Sequence, residues 1–340
     1  MTARRLPDGS RMIEIKNQHA ILSVFFAGDG KQVFSGGKDG MLRRWQVGDG
    51  NEVGEPIQAG GQDIYAAALS PDLKWLVCGL RFLTRHGHGI AEWVGVWDAQ
   101  THKKVLNIKG HTNTVFSVDI SPDSTKFATG GFDKLAFIWS MTTGERLVGP
   151  LEQDSCVVAV RFSPNGDRIA IETATADESE ENTDFAGSIR IYNSENGQQL
   201  LDILLQVQRF SSSRVVWSAD GRQLFALSAG EAKCFDTSSG ILLSKWSIHS
   251  QGQPNSVALA HNNKFIVTSA DKSLSFWDTS THTQIGTVVK HASILWSIAL
   301  SPNDDCIATG EENGVVTVRS LRDILPISYF TVNVSDLAWQ

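Results

Sequence analysis

Three residue sets in this chain are of types that do chemistry. Ser35, His19 and Asp39 are the parts of a hydrolase triad: a hydroxyl nucleophile, an imidazole base and a carboxylate to orient it. Thr129, His111 and Asp133 repeat the set with threonine. His86-Gly-His88 offers a metal two imidazoles, but no Cys, Asp or Glu stands at ligand spacing from them, which argues against a zinc site. No glycine-rich loop follows a strand and opens a helix, so the phosphate cradle of a nucleotide enzyme is missing. What the two triads do depends on the elements that carry them.

Those elements are repeats. One strand ending recurs at Trp45, Trp97-Asp98, Trp139-Ser140, Tyr192-Asn193, Phe235-Asp236, Trp277-Asp278 and Arg319-Ser320, with spacings of 52, 42, 53, 43, 42 and 42 residues. A period of about 40 to 45 residues is that of a four-stranded sheet which cannot bury its faces alone and must stack on neighbours. Each unit carries a turn of the type Ser121-Pro122-Asp123 or Ser163-Pro164-Asn165-Gly166, in which Pro presets φ, Asp and Asn bond their own backbone, and Gly accepts positive φ. Apolar alternation leads into the turns, as at Val115, Val118 and Ile120, and no sustained helical period is present. The fold class is all-β: a seven-bladed β-propeller of four-stranded antiparallel blades over residues 11–331, with 332–340 a tail or the start of a further strand.

The third repeat resembles the WD40 repeat family, from Gly110-His111 through Phe116-Ser117-Val118, Ser121-Pro122-Asp123, Thr129-Gly130-Gly131 and Asp133 to Trp139. In that family a Trp, a Ser or Thr, a His and an Asp of one blade join in a buried hydrogen-bond chain. The resemblance implies such networks at Trp45, Ser35, His19 and Asp39, and at Trp139, Thr129, His111 and Asp133. A hydroxyl that receives a Trp N–H and passes a bond to His is no exposed nucleophile, so both triads read as structural. The sixth repeat keeps Trp277, Thr268 and Asp271 but has Ser250 in place of His; the seventh keeps His291 and Thr309 but has Asn313 and Arg319.

Composition narrows the function. The four cysteines sit singly in four repeats, so they form neither a disulfide framework nor a metal cluster. No apolar run is long enough to span a membrane, and the first residues lack a secretory signal, so a cytoplasmic or nuclear location is expected. Net charge of −7 without a Lys/Arg cluster argues against nucleic acid as partner. Glu172, Asp177, Glu178, Glu180, Glu181 and Asp184 read as one acidic run.

That run is one of two insertions. The third repeat takes 10 residues from Thr129 to Trp139, whereas the second takes 19 from Cys78 to Trp97 and the fourth 21 from Ile171 to Tyr192. Both extra loops join the second and third strands of a blade, which in the family open on the top face. The first holds Arg81, Arg85, His86 and His88; the second is acidic and reads as a solvated surface loop. Five residues before the turn serine stand Tyr65, Phe116 and Trp296, where other repeats have Leu22, Val158, Ser213 and Asn255. In the family this position points to the upper rim of the central channel, so these aromatics, with Arg81 and Arg85 beside them, are the expected partner-binding residues.

Two segments compete to complete the last blade: Arg11–Lys16 and residues 324–331. Either the C-terminal strand closes its own blade and displaces the first segment, or the tail packs elsewhere, or the chain is part of a longer propeller array. The expected function is a non-enzymatic scaffold holding protein or peptide partners on the top face, without cofactor, metal or small-molecule substrate. The alternatives are a sensor domain of a larger protein and a propeller enzyme using channel residues.

Overall fold

A computed structural model describes residues 2–5, 11–59, 63–81, 93–174, 186–206, 215–228, 230–248 and 254–330. The strands form seven antiparallel sheets, six of them meanders of neighbours in sequence and the seventh joining strands from both ends of the chain, and the described residues contain no α-helix. Blade 3 is representative: strand a is Val115–Ile120, b Lys126–Gly131, c Leu135–Ser140 and d Arg146–Glu152. Strand a lines the central cavity and strand d forms the outer edge. Both insertions lie between strands b and c, after Trp75–Arg81 in blade 2 and Arg168–Ala174 in blade 4.

Strands a are tied around the ring by serines. Ser23 Oγ accepts the Ala67 N–H (3.2 Å), Ser117 Oγ the Val160 N–H (3.1 Å) and Ser297 Oγ the Val24 N–H (3.1 Å). Blades also interlock through a strand b glycine: a Cβ at Gly130 would lie 2.3 Å from Val157 of blade 4, and one at Gly310 2.7 Å from Ile21 of blade 1. Only glycine admits so close an approach. In blade 4 this ladder position holds Glu172, whose partner Ala159 corresponds to Ser117 opposite Gly130. Glu172 is fully buried in strand b. It is therefore a core residue and no part of the solvated acidic run, because the strand extends past it to Ala174.

The competition at the ring closure falls to the N-terminal segment. Arg11–Lys16 pairs antiparallel with Val315–Ser320 as strand d of blade 7, and Thr2–Arg5 adds a fifth strand outside it. Residues 321–330 form two 3₁₀ turns, Leu321–Asp323 and Ile327–Tyr329, instead of a strand. Leu321, Leu325 and Phe330 are buried against Phe265 and Phe276 of blade 6 and Leu295 and Ile307 of blade 7, and the Tyr329 hydroxyl donates to Asp278 Oδ2 (2.7 Å). Pro326 between the turns has no N–H to give a ladder.

Blades 6 and 7 also meet at a titratable contact. The buried Asp304 carboxylate accepts the His261 N–H (2.9 Å to Oδ2) and lies 3.1 Å from His261 Nδ1. The hydrogen bond to Asp304 raises the His261 pKa above its ordinary value, against the opposing effect of burial. A raised folded-state pKa contributes stability that is fully present below the unfolded value and is lost as pH rises through the folded one. The melting temperature should therefore fall as pH climbs through that window, and His261→Asn should flatten the slope; an unchanged slope would exclude this contact as its source.

Candidate functional site

The upper rim is built from an irregularity in strand a. In blades 1, 2, 3, 4, 6 and 7 the ladder between strands a and b slips by one residue, so that the register passes over Leu22, Tyr65, Phe116, Val158, Asn255 and Trp296. A bulge bends its strand and re-aims the extra side chain. At blades 2 and 3 the re-aimed residues are aromatic and touch: the Tyr65 and Phe116 rings are 5.3 Å apart, edge to face at 79°. Phe132, from the loop between strands b and c of blade 3, extends the row at 5.9 Å from Phe116. Tyr65 and Phe116 are half-buried and Phe132 is 36% exposed.

Arg81, at the end of strand b in blade 2, fixes the tyrosine. Its Nη1 donates to the Tyr65 hydroxyl (2.9 Å) and its guanidinium carbon lies 5.8 Å from the ring centre. Asp63 faces Arg81 across the ladder. Burial pushes its carboxyl up, opposed by the charges of Arg81 and Lys38. Trp296 belongs to blade 7, and blade 1 between it and Tyr65 has the buried Leu22 at this position. The continuous row is therefore Tyr65, Phe116 and Phe132. Phe132 was missed in sequence because it lies in the turn beside Asp133, outside the strand register; its type, in a turn that is otherwise polar, was the available signal. Arg85, with His86 and His88, lies in residues 82–92, outside the described residues, as does the acidic loop 175–185.

Beneath the rim in blade 3, Trp139 Nε1 donates to Thr129 Oγ1 (2.9 Å), Thr129 Oγ1 is 2.8 Å from His111 Nε2, and His111 Nδ1 is 2.9 Å from Asp133 Oδ2. The sequence of partners makes Thr129 the donor to Nε2 and the Nδ1–H the donor to Asp133. Burial would raise the Asp133 pKa, but the bonds from His111 and from the Thr112 and Leu135 N–H groups hold it below the ordinary carboxylate value. The hydroxyl is buried and committed on both sides, so it is no nucleophile.

The other blades depart from this arrangement. In blade 1 Trp45 Nε1 donates to Ser35 Oγ (2.8 Å), but Asp39 accepts from Arg43 Nη1 and the Met41 N–H (3.1 Å), and His19 is exposed. The four-residue chain expected there stops at Ser35, because Arg43 is the partner of the carboxylate. In blade 6 the Trp277 Nε1 donates to Thr268 Oγ1 (3.1 Å); Ser250 lies outside the described residues. In blade 7 the carboxylate comes from Glu311, 3.0 Å from His291 Nδ1 and accepting from Thr317 Oγ1 (3.1 Å).

Comparison with known proteins decides among propeller types. The WD40 family, described as WD domain, G-beta repeat, matches residues 11–46, 102–140, 240–278 and 282–319. Each match ends at the close of a strand c, in blades 1, 3, 6 and 7. Four of the seven blades of this propeller are WD40 repeats. Among curated relatives, it is 32% identical over 138 residues to small ribosomal subunit protein RACK1y of Oryza sativa subsp. japonica, covering 39% of this chain and 37% of that protein. It is 28% identical over 158 residues to protein groucho of Drosophila melanogaster, covering 46% of this chain and 20% of that protein. In both cases the match spans well under half of the relative's length.

In this WD40 propeller the channel holds a cavity of about 270 Å³. Its charged lining residues, among those described, are Asp119 and Arg161, and both serve the ring: Asp119 Oδ2 accepts the Phe162 N–H (2.7 Å), and Arg161 Nη1 donates to the Val160 carbonyl (2.8 Å) and to Ser117 Oγ (3.2 Å). Burial pushes the Asp119 carboxyl up, with Arg161 opposing. One acid and one guanidinium bound into neighbouring strands are no acid–base pair for catalysis. No group of three or more metal-ligating side chains occurs among the described residues, and none of their helices is long and apolar enough to cross a membrane.

Proposed function

We propose that this propeller is a non-enzymatic docking platform for protein or peptide partners, which engage its upper rim at Tyr65, Phe116 and Phe132. The observation that carries this reading is the half-exposed aromatic row projected from two bulges and a turn of one rigid ring. Aromatic side chains bury much area with little entropy to lose, and a preformed surface avoids the ordering cost of binding. Arg81, already oriented by Tyr65, supplies charge at the row's end for an acidic flank on the partner, and Arg85 follows it four residues later in the sequence. Trp296 extends the reading to a second contact across the rim.

The test begins with proximity labelling in the source cell to identify a partner, then measures affinity for a peptide from it. Phe116→Ala with Phe132→Ala should weaken binding at least tenfold, about 1.4 kcal/mol, while the melting temperature falls little. Equal affinity for the variant and the wild type would remove the rim from the function.

A further inference from the structure

The outer edges of the blades are open strands, each a template for pairing with another chain unless it is protected by shortness, by lysine or by proline. Most are so protected. Strand d of blade 1 is only Ile57–Gln58, that of blade 2 carries Lys104, that of blade 3 Arg146 and Pro150, that of blade 5 Lys245 and that of blade 6 Lys290. Blade 7's is covered by Thr2–Arg5. Strand d of blade 4, Gln199–Gln206, is eight residues long and has no Lys, Arg or Pro. Its single charge, Asp202, is held by Arg190 (Nε to Oδ2 3.0 Å), so it repels an incoming strand weakly.

The same strand exposes apolar surface. Leu204 is 82% exposed and Leu200 44%, on the face opposite the buried Ile203 and Leu205. Beside it runs the turn that opens strand d of blade 5: a Cβ on Gly240 would lie 3.7 Å from the side chains of Leu201 and Ile203. Ile241 and Leu243, just past that glycine, are also exposed. Blade 7 demonstrates that a strand d of this propeller accepts a fifth antiparallel strand.

The sequence of the edge selects the occupant. Gln-Leu-Leu-Asp-Ile-Leu-Leu-Gln reads nearly the same in both directions. A two-fold contact needs a strip complementary to itself, and an antiparallel pair of these strands centred on Asp202 sets leucine against leucine at Leu200 and Leu204 and leucine against isoleucine at Leu201 and Ile203. Pairing about Asp202 brings Leu200 of one copy opposite Leu204 of the other, and each central carboxylate brings its own Arg190. We propose that two copies of this chain associate edge to edge through strand d of blade 4. This surface is remote from the rim, so the dimer and the rim reading stand or fall separately.

Sedimentation velocity of the full chain over a concentration series tests the proposal. The wild type should pass from monomer to dimer, and Leu204→Lys should weaken dimerisation at least tenfold. The side chain lies almost wholly in solvent, so the variant should melt with the wild type. Leu147→Lys, on the protected edge of blade 3, should dimerise normally. A wild type that stays monomeric, or a dimer that Leu204→Lys leaves intact, overturns the proposal. A monomer that instead takes up an extended peptide along Gln199–Gln206 overturns it too, since the edge would then belong to a different partner.

Discussion

Replacing Ile15 by Asp should unfold most of the protein or leave it insoluble. Ile15 sits in the strand that closes the ring, directly opposite Val316, and is buried with Ile21, Val33 and Trp45 of blade 1 and Val318 of blade 7. One side chain therefore joins the first and last repeats. A carboxylate there has no partner in an apolar cluster, and an uncompensated buried charge costs about 3–5 kcal/mol. Against a total stability of roughly 5–15 kcal/mol that is a large share. Its exposed neighbour supplies the control: Lys16→Gln should stay within about 0.5 kcal/mol of the wild type. Thermal melts of the two variants decide the matter. If Ile15→Asp melted with the wild type, the ring would have to be held shut elsewhere.

The seven-fold period made the architecture legible, because a blade's length and its turns are local properties that composition and spacing express directly. Ring closure was less legible. Arg11–Lys16 and residues 324–331 have similar β-rich patterns, and the choice between them depends on which apolar face finds a complementary surface. Ile13 and Ile15 meet the blade 1 and blade 7 core, whereas Leu325 and Phe330 meet the seam between blades 6 and 7. Such a choice is tertiary and leaves no mark on the period.

At the rim, the shared register of Tyr65, Phe116 and Trp296 could be read from the turn serines. The bulge that frees those side chains could not, since a slip in hydrogen bonding has no residue signature of its own here. Ladder position also explains the two acidic residues whose roles were hidden. Glu172 stands where Gly130 stands in blade 3, and Glu311 where Gly131 stands, opposite Leu295 as Gly131 is opposite Val115. A repeat motif that expects glycine at both positions treats any other residue as a deviation and assigns it no task.

Glu311 is the sharper case, and it yields a test with an internal rescue. A Cβ on Gly131 would lie 2.9 Å from both His111 Nδ1 and Asp133 Oδ1, so a side chain grown from that position in blade 7 enters the space that the Asp133 carboxylate fills in blade 3. Glu311 does so and takes the buried His291 as partner. Asn313 occupies the turn position of Asp133: its Oδ1 accepts the Val315 N–H at 3.2 Å, as Asp133 Oδ1 accepts that of Leu135 at 3.2 Å. Glu311→Ala should therefore cost roughly 1–3 kcal/mol, the penalty for leaving a buried polar partner unsatisfied. Adding Asn313→Asp in that background returns a carboxylate from the blade 3 position and should recover more than half of the loss. Asn313→Asp alone should destabilise, because it sets a second carboxylate against one already buried. Urea melts of the three variants separate these outcomes. A double variant no more stable than Glu311→Ala would mean that the carboxylate works through Thr317 and the strand rather than through His291.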